Sequence, residues 1–404
     1  TPGVSVTAKL SADNLIGAGS APAEPSATLL VGVNIPVVEV SSLVVNPTTP
    51  SAESTVHVTG TFKQSADAEL FNPTMTFDAT EQANVYRSSK FANVTVKKNG
   101  AVVPSNKWAS EVIGNKLTVM LDDDMEQNDI VTIEYDDVIA AGTASNDQTL
   151  NIKTEFSGQN RTSGATKTAS YTVQTPALSL KEEIVSPMVD GVPVQTINVG
   201  DAVTYELTVS QTNPLSVGRG FKAELAIDDQ AAAHGVYYDV DSFDIIANGT
   251  SVKSNYTLSF SNSNTKVRIE GKEGHTDLTG TPLVIRYKAQ AGTSTNTALR
   301  DTTFQSAPKV SVTNLDGAHV LVPKTIKIAS ATSTITLTTA NGMVSYPTPE
   351  TYQLVITNTS DEALSKIKGL KVTNYINQAS VPLGYAYDIS SFKLQLKDGD
   401  GEPG

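Results

Sequence analysis

Residue types able to do chemistry are sparse in this 404-residue chain. His57, His234, His275 and His319 are scattered, with no His-x-x-x-His pair and no neighbouring carboxylate pattern, which argues against metal ligation and histidine acid–base work. The run Asp122-Asp123-Asp124-Met125-Glu126-Gln127-Asn128-Asp129 offers oxygens of the kind calcium takes. It lacks the glycine-centred spacing of a calcium loop and reads as a solvated turn. There is no Gly-x-Ser-x-Gly elbow, no Walker loop and no Gly-x-Gly-x-x-Gly after a strand. The absence of cysteine removes thiol catalysis, zinc–thiolate sites and iron–sulfur clusters. No cofactor and no metal are expected.

What remains is four elements in order within one domain-length stretch. Pro176-Ala177-Leu178-Ser179-Leu180-Lys181 is an alternating strand whose lysine is oddly placed. Val199-Gly200-Asp201-Ala202-Val203-Thr204-Tyr205 opens a second strand, Leu225-Ala226-Ile227-Asp228-Asp229 ends a third in acid, and Thr295-Asn296-Thr297-Ala298 closes the set. Together they resemble the isopeptide-forming domains of Gram-positive fimbrial subunits and cell-surface adhesins. Those domains show a lysine on the first strand, a Gly-Asp-x-Val-x-Tyr strand, an aspartate after a short apolar strand, and Asn-Thr-Ala on the last strand.

The resemblance implies a self-made amide bond between Lys181 and Asn296, promoted by Asp228. Burial in an apolar core disfavours the charged amine and leaves a neutral nucleophile. A buried aspartic acid kept protonated donates to the asparagine carbonyl and polarises it, and attack expels ammonia. The reaction happens once per molecule and is maturation, not turnover. By analogy with a disulfide closing about 115 residues, the link is worth about 4–5 kcal/mol in chain entropy. Asp229 is the alternative acid, because the register at that strand end is open by one residue.

Two other stretches carry parts of the pattern. Lys327 precedes Asn374 by the same 47 residues that separate Lys181 from Asp228, with asparagine in place of the acid. Asp78 and Asn146 match the acid and the amide of an earlier unit. The position 47 residues before Asp78 is Val31, so the amine there falls to Lys9, which needs a much longer excursion.

The elements that must position these residues repeat along the chain. Tyr86-Arg87-Ser88-Ser89-Lys90-Phe91, Tyr238-Asp239-Val240-Asp241-Ser242-Phe243 and Tyr387-Asp388-Ile389-Ser390-Ser391-Phe392 each lead into an alternating strand. Those strands end at Asn99-Gly100, Asn248-Gly249 and Asp398-Gly399, strong hairpin signals. Phe91 to Tyr135 and Phe243 to Tyr287 both span 44 residues. The matching tyrosine of the third copy falls past residue 404, so that unit is expected to be incomplete. The period predicts an all-β chain of tandem immunoglobulin-like β-sandwich domains at 36–175, 176–308 and 309–404. Gln174-Thr175-Pro176 and Ser306-Ala307-Pro308 are the expected linkers, and residues 1–35 form an arm or strand that does not fit the period.

Composition agrees. Hydrophobic residues make up 39% and charged residues 18%, enough apolar material for packed cores. Thr, Val and Ser are among the commonest residues, a strand-and-turn mixture. The net charge of -13 argues against nucleic acid and against adsorption to anionic lipid. No run of 18 apolar residues is present, so no membrane insertion is expected. Residue 1 is Thr with no charged-then-apolar leader, the pattern of a mature or excised segment. These features point to an extracellular, cell-surface or cell-wall structural segment, a stalk or shaft. The alternatives are an adhesin region that binds a host or matrix protein or glycan in an inter-domain groove, and a surface-layer lattice protein that self-associates in a fibre or sheet. An enzyme ranks last.

Overall fold

The structure, a computed structural model, describes residues 3–9, 26–80, 84–293, 297–329, 332–339, 348–359, 370–373 and 386–395. Contact density divides the chain into Thr1–Ala329 and Ser330–Gly404.

The first unit opens with β1 (Gly3–Lys9) and β2 (Ser26–Gly32), an antiparallel ribbon with Gly3 opposite Gly32 and Lys9 opposite Ser26. The first sandwich follows: β3 (Val38–Asn46), β4 (Thr55–Gln64), β5 (Thr74–Asp78), β6 (Arg87–Lys98), β7 (Ala101–Val102), β8 (Trp108–Ile113), β9 (Lys116–Leu121), β10 (Ile130–Ile139), β11 (Thr149–Gly158) and β12 (Arg161–Thr172). One sheet runs β3-β4-β10-β6-β7 and the other β12-β11-β5-β9-β8. The strands form because apolar residues alternate. In β4, Val56, Val58, Phe62 and Gln64 are buried while Thr55 and His57 are exposed. Between the sheets Phe62 meets Phe77 and Phe156 edge-on, with centroids 5.8 and 5.5 Å apart. Gly60 makes room for this packing, since a Cβ there would come within 2.7 Å of the Phe77 ring. The Asn99-Gly100 turn joins β6 to β7 with φ of +52° and +81°, as its sequence predicts.

The second sandwich repeats the plan. It comprises β13 (Leu178–Ser186), β14 (Met188–Val189), β15 (Val192–Pro193), β16 (Thr196–Asn198), β17 (Ala202–Gln211), β18 (Lys222–Ile227), the helix α1 (Asp229–Ala233), β19 (Val236–Ala247), β20 (Thr250–Ser251), β21 (Tyr256–Ser261), β22 (Lys266–Gly271), β23 (Leu283–Ala291), β24 (Thr302–Ser311), β25 (His319–Val320) and β26 (Lys324–Ala329). Its sheets run β13-β17-β23-β19-β20 and β16-β26-β24-β18-β22-β21, with β25 on β24. Strand for strand, β3, β4, β10 and β6 correspond to β13, β17, β23 and β19. Tyr135 lies opposite Val58 and Tyr287 opposite Tyr205, and Phe91 meets Tyr135 at 5.1 Å as Phe243 meets Tyr287 at 5.5 Å, so the 44-residue spacing reports one ring contact.

One boundary differs from the sequence reading. Ser306-Ala307-Pro308 is no linker: it lies inside β24, Ser306 is fully buried, and Val310, Val312, Ile326 and Ile328 complete the same core. The second sandwich therefore continues to Ala329. Its closing hairpin, β24 and β26, carries the alternating apolar residues that cap the sheet, and a boundary at 308 would cut that core open. Residues 173–177 lie between β12 and β13.

In the second unit, β27 (Ser333–Thr339) and β28 (Tyr352–Asn358) pair antiparallel, with Ser333 opposite Asn358. Asp388 accepts the Ser390 N–H at 3.0 Å, and Tyr387 meets Phe392 edge-on at 5.9 Å. Residues 10–25, with most of the Gly17–Ala27 stretch, and the Asp398-Gly399 turn lie outside the described residues.

Candidate functional site

Strand geometry decides where each chemistry-bearing side chain goes. Successive residues of a strand face opposite sides, so Leu178, Leu180, Glu182 and Ile184 share the core face of β13 and Lys181 takes the solvent face. Lys181 is exposed and pairs with Glu183 at 2.8 Å. Its ammonium therefore does not meet the dry surroundings that amide formation requires. Asn296 lies outside the described residues. Asp228 is the N-cap of α1: Oδ1 accepts the Ala231 N–H at 2.9 Å and Oδ2 the Gln305 N–H at 2.8 Å. Both oxygens accept backbone N–H groups, so the carboxyl is engaged in capping α1 and bonding β24. Asp229, in the first turn of α1, is exposed.

The matching residues elsewhere that the structure describes are no closer to that chemistry. Asp78 ends β5 at the surface, accepts from Thr80 Oγ1 and N, and lies 4.0 Å from Lys116. These partners hold its carboxyl below the usual range, led by the Thr80 hydroxyl. Lys9 stands on β1, and its side chain lies outside the described set. Lys327 is exposed on β26, so it belongs to the second sandwich and not to a third. The equal 47-residue spacing misleads because β27, not β26, follows the sandwich boundary as β13 does. Asn374 lies outside the described residues.

Two buried polar clusters and one junction stand in their place. In the second sandwich Tyr287 donates to Glu182 Oε1; Ser306 Oγ is 3.1 Å from the Tyr287 hydroxyl and 2.9 Å from that of Tyr238. With Tyr287 donating to the carboxylate, Ser306 must donate to Tyr287 and Tyr238 to Ser306, a relay ending on the acid. Tyr205 stacks on Tyr287 at 5.3 Å. Glu182 Oε2 and the Tyr205 hydroxyl are buried without a hydrogen-bond partner. Burial pushes the Glu182 carboxyl up to about 7, against the lowering pull of the Tyr287 hydrogen bond and the Lys324 charge. Burial likewise raises all three phenols.

In the first sandwich the buried charged residues are Arg87 and Asp137. Asp137 Oδ1 accepts the Phe91 N–H at 3.1 Å, Arg87 reaches Asn115 at 3.0 Å, and its guanidinium lies 5.4 Å over the Phe91 ring. Phe91 has φ of +50°, so this pair secures a left-handed backbone at the bulge where β6 leaves register with β10. The tyrosine motif splits accordingly. Tyr238 is buried against Phe243 at 6.0 Å, whereas Tyr86 is exposed and Arg87 covers Phe91 instead.

The third constellation joins the two sandwiches. Arg219 reaches across to the Ala52 carbonyl at 3.0 Å and Ser54 Oγ at 3.2 Å, and pairs with Asp277 on its own side. Ser51 Oγ lies 3.1 Å from Ser216 Oγ and accepts the Val217 N–H at 3.0 Å. Asn146, expected as an amide donor to a lysine, instead donates to the Asn314 carbonyl at 2.9 Å. Asn213 and Ser216 bind the Thr175 and Gln174 carbonyls of the link at 2.8 and 3.0 Å. Ser51, Ala52, Ser216 and Asn314 are buried. Sequence reasoning found Asn146 by motif and missed the rest, because loop residues that meet across a junction leave no periodic trace. Among the described residues no group of His, Asp or Glu is placed to hold a metal ion, and no helix is long and apolar enough to cross a membrane.

No family model matches the sequence, and no curated protein sequence matches it. Among solved structures the chain is similar to the C-terminal domain of the AgI/II polypeptide BspA of Streptococcus agalactiae, at 9% identity over 72% of this chain and 99% of that one, with a TM-score of 0.36. It is similar to the C-terminal domain of the antigen I/II-family protein AspA of Streptococcus pyogenes, at 9% identity over 72% and 99%, with a TM-score of 0.34. The collagen adhesin CNA of S. aureus gives 10% identity over 79% and 96%, with a TM-score of 0.25. At such values the function has to be argued from this chain's own residues.

Proposed function

We propose that this chain is an extracellular spacer, a stalk or shaft segment of a bacterial surface adhesin or fimbria, whose two described sandwiches act as one rigid body. The observation that carries this reading is the junction. A flexible tether between domains would leave its polar groups in water, whereas Arg219, Ser51, Ser216, Asn146 and Asn314 are spent on bonds across it. Each such bond contributes about 0.5–1.5 kcal/mol, and together they hold one angle between the sandwiches. The repeat plan, the acidic surface and the sequence resemblance set out above support a location at the cell surface. The exposure of Lys181 takes the covalent brace out of this proposal, and reinforcement comes from packing and hydrogen bonds.

The absence of cysteine makes the test direct, because labels can be placed at will. Spin labels at the exposed positions Ser110 and Thr257, one on each sandwich, report the distance between them by pulsed electron resonance. A rigid spacer gives a single narrow distance distribution. A broad one, as from two beads on a string, overturns the reading.

A further inference from the structure

Glu182 is a titratable group in the interior that the spacer role does not use, and its surroundings define what it can do. It stands on β13, an edge strand whose one sheet partner among the described residues is β17, with Glu182 opposite Leu207. The groups facing it come from every strand around it: Tyr205 on β17, Tyr287 on β23, Tyr238 on β19, Ser306 on β24 and the Lys324 charge on β26. On β13 itself, Lys181 and Glu183 pair with one another on the far face and offer no counter-charge to the core. The relay supplies a donor to Oε1 alone, while Oε2 has no partner. A proton on Oε2 makes the group neutral in its apolar box. Without it, a carboxylate is left with half its acceptor capacity unmet.

We propose that Glu182 is a proton-operated latch, which holds edge strand β13 on the core of the second sandwich when protonated and loosens that strand when ionised. The strand offers an escape that a central one lacks, because leaving costs one ladder of hydrogen bonds and returns the carboxylate to water. It is also the strand through which the chain passes from the junction into the second sandwich, so tension along the chain would reach this sandwich through the latched strand. At the matching position the first sandwich carries no acid. Register places Leu43 opposite Gly60 where Glu182 stands opposite Leu207, so its core face there is apolar. This inference stands apart from the spacer reading and survives if the two sandwiches prove flexibly joined.

Amide hydrogen exchange across pH 5.5–8.5 tests it, with rates divided by the intrinsic exchange rate at each pH. For an acid whose value moves from 4.5 to about 7 on folding, linkage predicts that protection of the β13 amides falls about thirtyfold over that range. Protection of the β3 amides, in the same molecule, stays constant. Glu182→Gln keeps the shape and cannot ionise, and Glu182→Leu reproduces the first sandwich. Both are expected to hold β13 protection constant within about twofold. Flat protection in the unmodified protein, or a wild-type fall persisting in Glu182→Gln, overturns the latch. So does failure of both variants to fold, since a neutral side chain is the form the latch requires.

Discussion

Arg87 Nη1 lies 2.7 Å from Asp137 Oδ2, with 1% and 0% of the two side chains exposed. A buried pair of this kind stabilises little against an apolar replacement, yet removing one partner strands the other charge. The second sandwich shows the apolar alternative, because register puts Val236 and Ala289 at the corresponding positions. Asp137→Ala is therefore expected to destabilise the first sandwich by about 3–5 kcal/mol in denaturant unfolding. The double variant Arg87→Val/Asp137→Ala should recover much of that loss, but not all, because the left-handed Phe91 keeps an unmet N–H. A double variant as unstable as the single one would show that the pair has a role beyond charge balance.

The fold was legible because strands advertise themselves twice, by alternation and by the turns between them. Asn99-Gly100 and Asn248-Gly249 adopt the positive φ their hairpins need, and the 44-residue spacing marks one Phe–Tyr ring contact in both sandwiches. Site placement failed where alternation was not carried one residue further. Leu178, Leu180 and Ile184 already assign the core face of β13, and that assignment puts Glu182 inside and Lys181 out. Motif matching by residue type drew attention to the lysine, and the period of two pointed to its neighbour. The third domain's start was misplaced for another reason. Ser306-Ala307-Pro308 reads as a linker by composition, but only tertiary pairing shows β24 receiving β18 and β26 on its two sides.

The two sandwiches should respond to pH in opposite senses. Glu182 has a folded value raised from 4.5 to about 7, chiefly by burial, so its contribution is full below 4.5 and is lost as pH climbs through about 7. The loss is about 3 kcal/mol in the second sandwich. In the first sandwich the net shifts run the other way. Burial raises the Asp129 carboxyl, but hydrogen bonds from Lys98, Asn99 and the Glu126 N–H outweigh it, and Asn93 and His57 hold Asp136 down. Those groups contribute above their ordinary value near 3.8 and weaken the sandwich as pH falls through their lowered values. Calorimetry at pH 2.5, 5 and 8 should show the first sandwich's transition falling from pH 5 to 2.5 and the second sandwich's falling from pH 5 to 8. Glu182→Gln should abolish the alkaline loss and leave the acid one intact.

Lys181 is expected to behave as a surface lysine. Its 67% exposure and its pairing with exposed Glu183 leave the amine open to reagents. An acylating reagent should modify it as fast as other exposed lysines, read by peptide mass spectrometry. Lys181→Ala should change stability by no more than about 0.5 kcal/mol, and intact mass only by the substitution itself. An ammonia-sized mass deficit that disappears in Lys181→Ala would contradict this placement, and would mean that β13 reacts in another register.

Arg219 is the residue on which the junction depends most. Its guanidinium makes two bonds to the first sandwich, to the Ala52 carbonyl and Ser54 Oγ, and one ion pair to Asp277 within the second. These functions can be separated. Arg219→Ala removes all three and should cost the junction about 1–3 kcal/mol, broadening the distance distribution between labels at Ser110 and Thr257. Asp277→Asn discharges the ion pair but leaves both cross-junction donors in place, so the distribution should stay narrow. Each sandwich should keep its own melting transition in either variant, because neither substitution touches the cores built around Phe62 and Tyr287. If Asp277→Asn broadens the distribution as much as Arg219→Ala, the junction angle is set by how Arg219 is aimed. If neither does, the serine and asparagine contacts across the junction are sufficient alone.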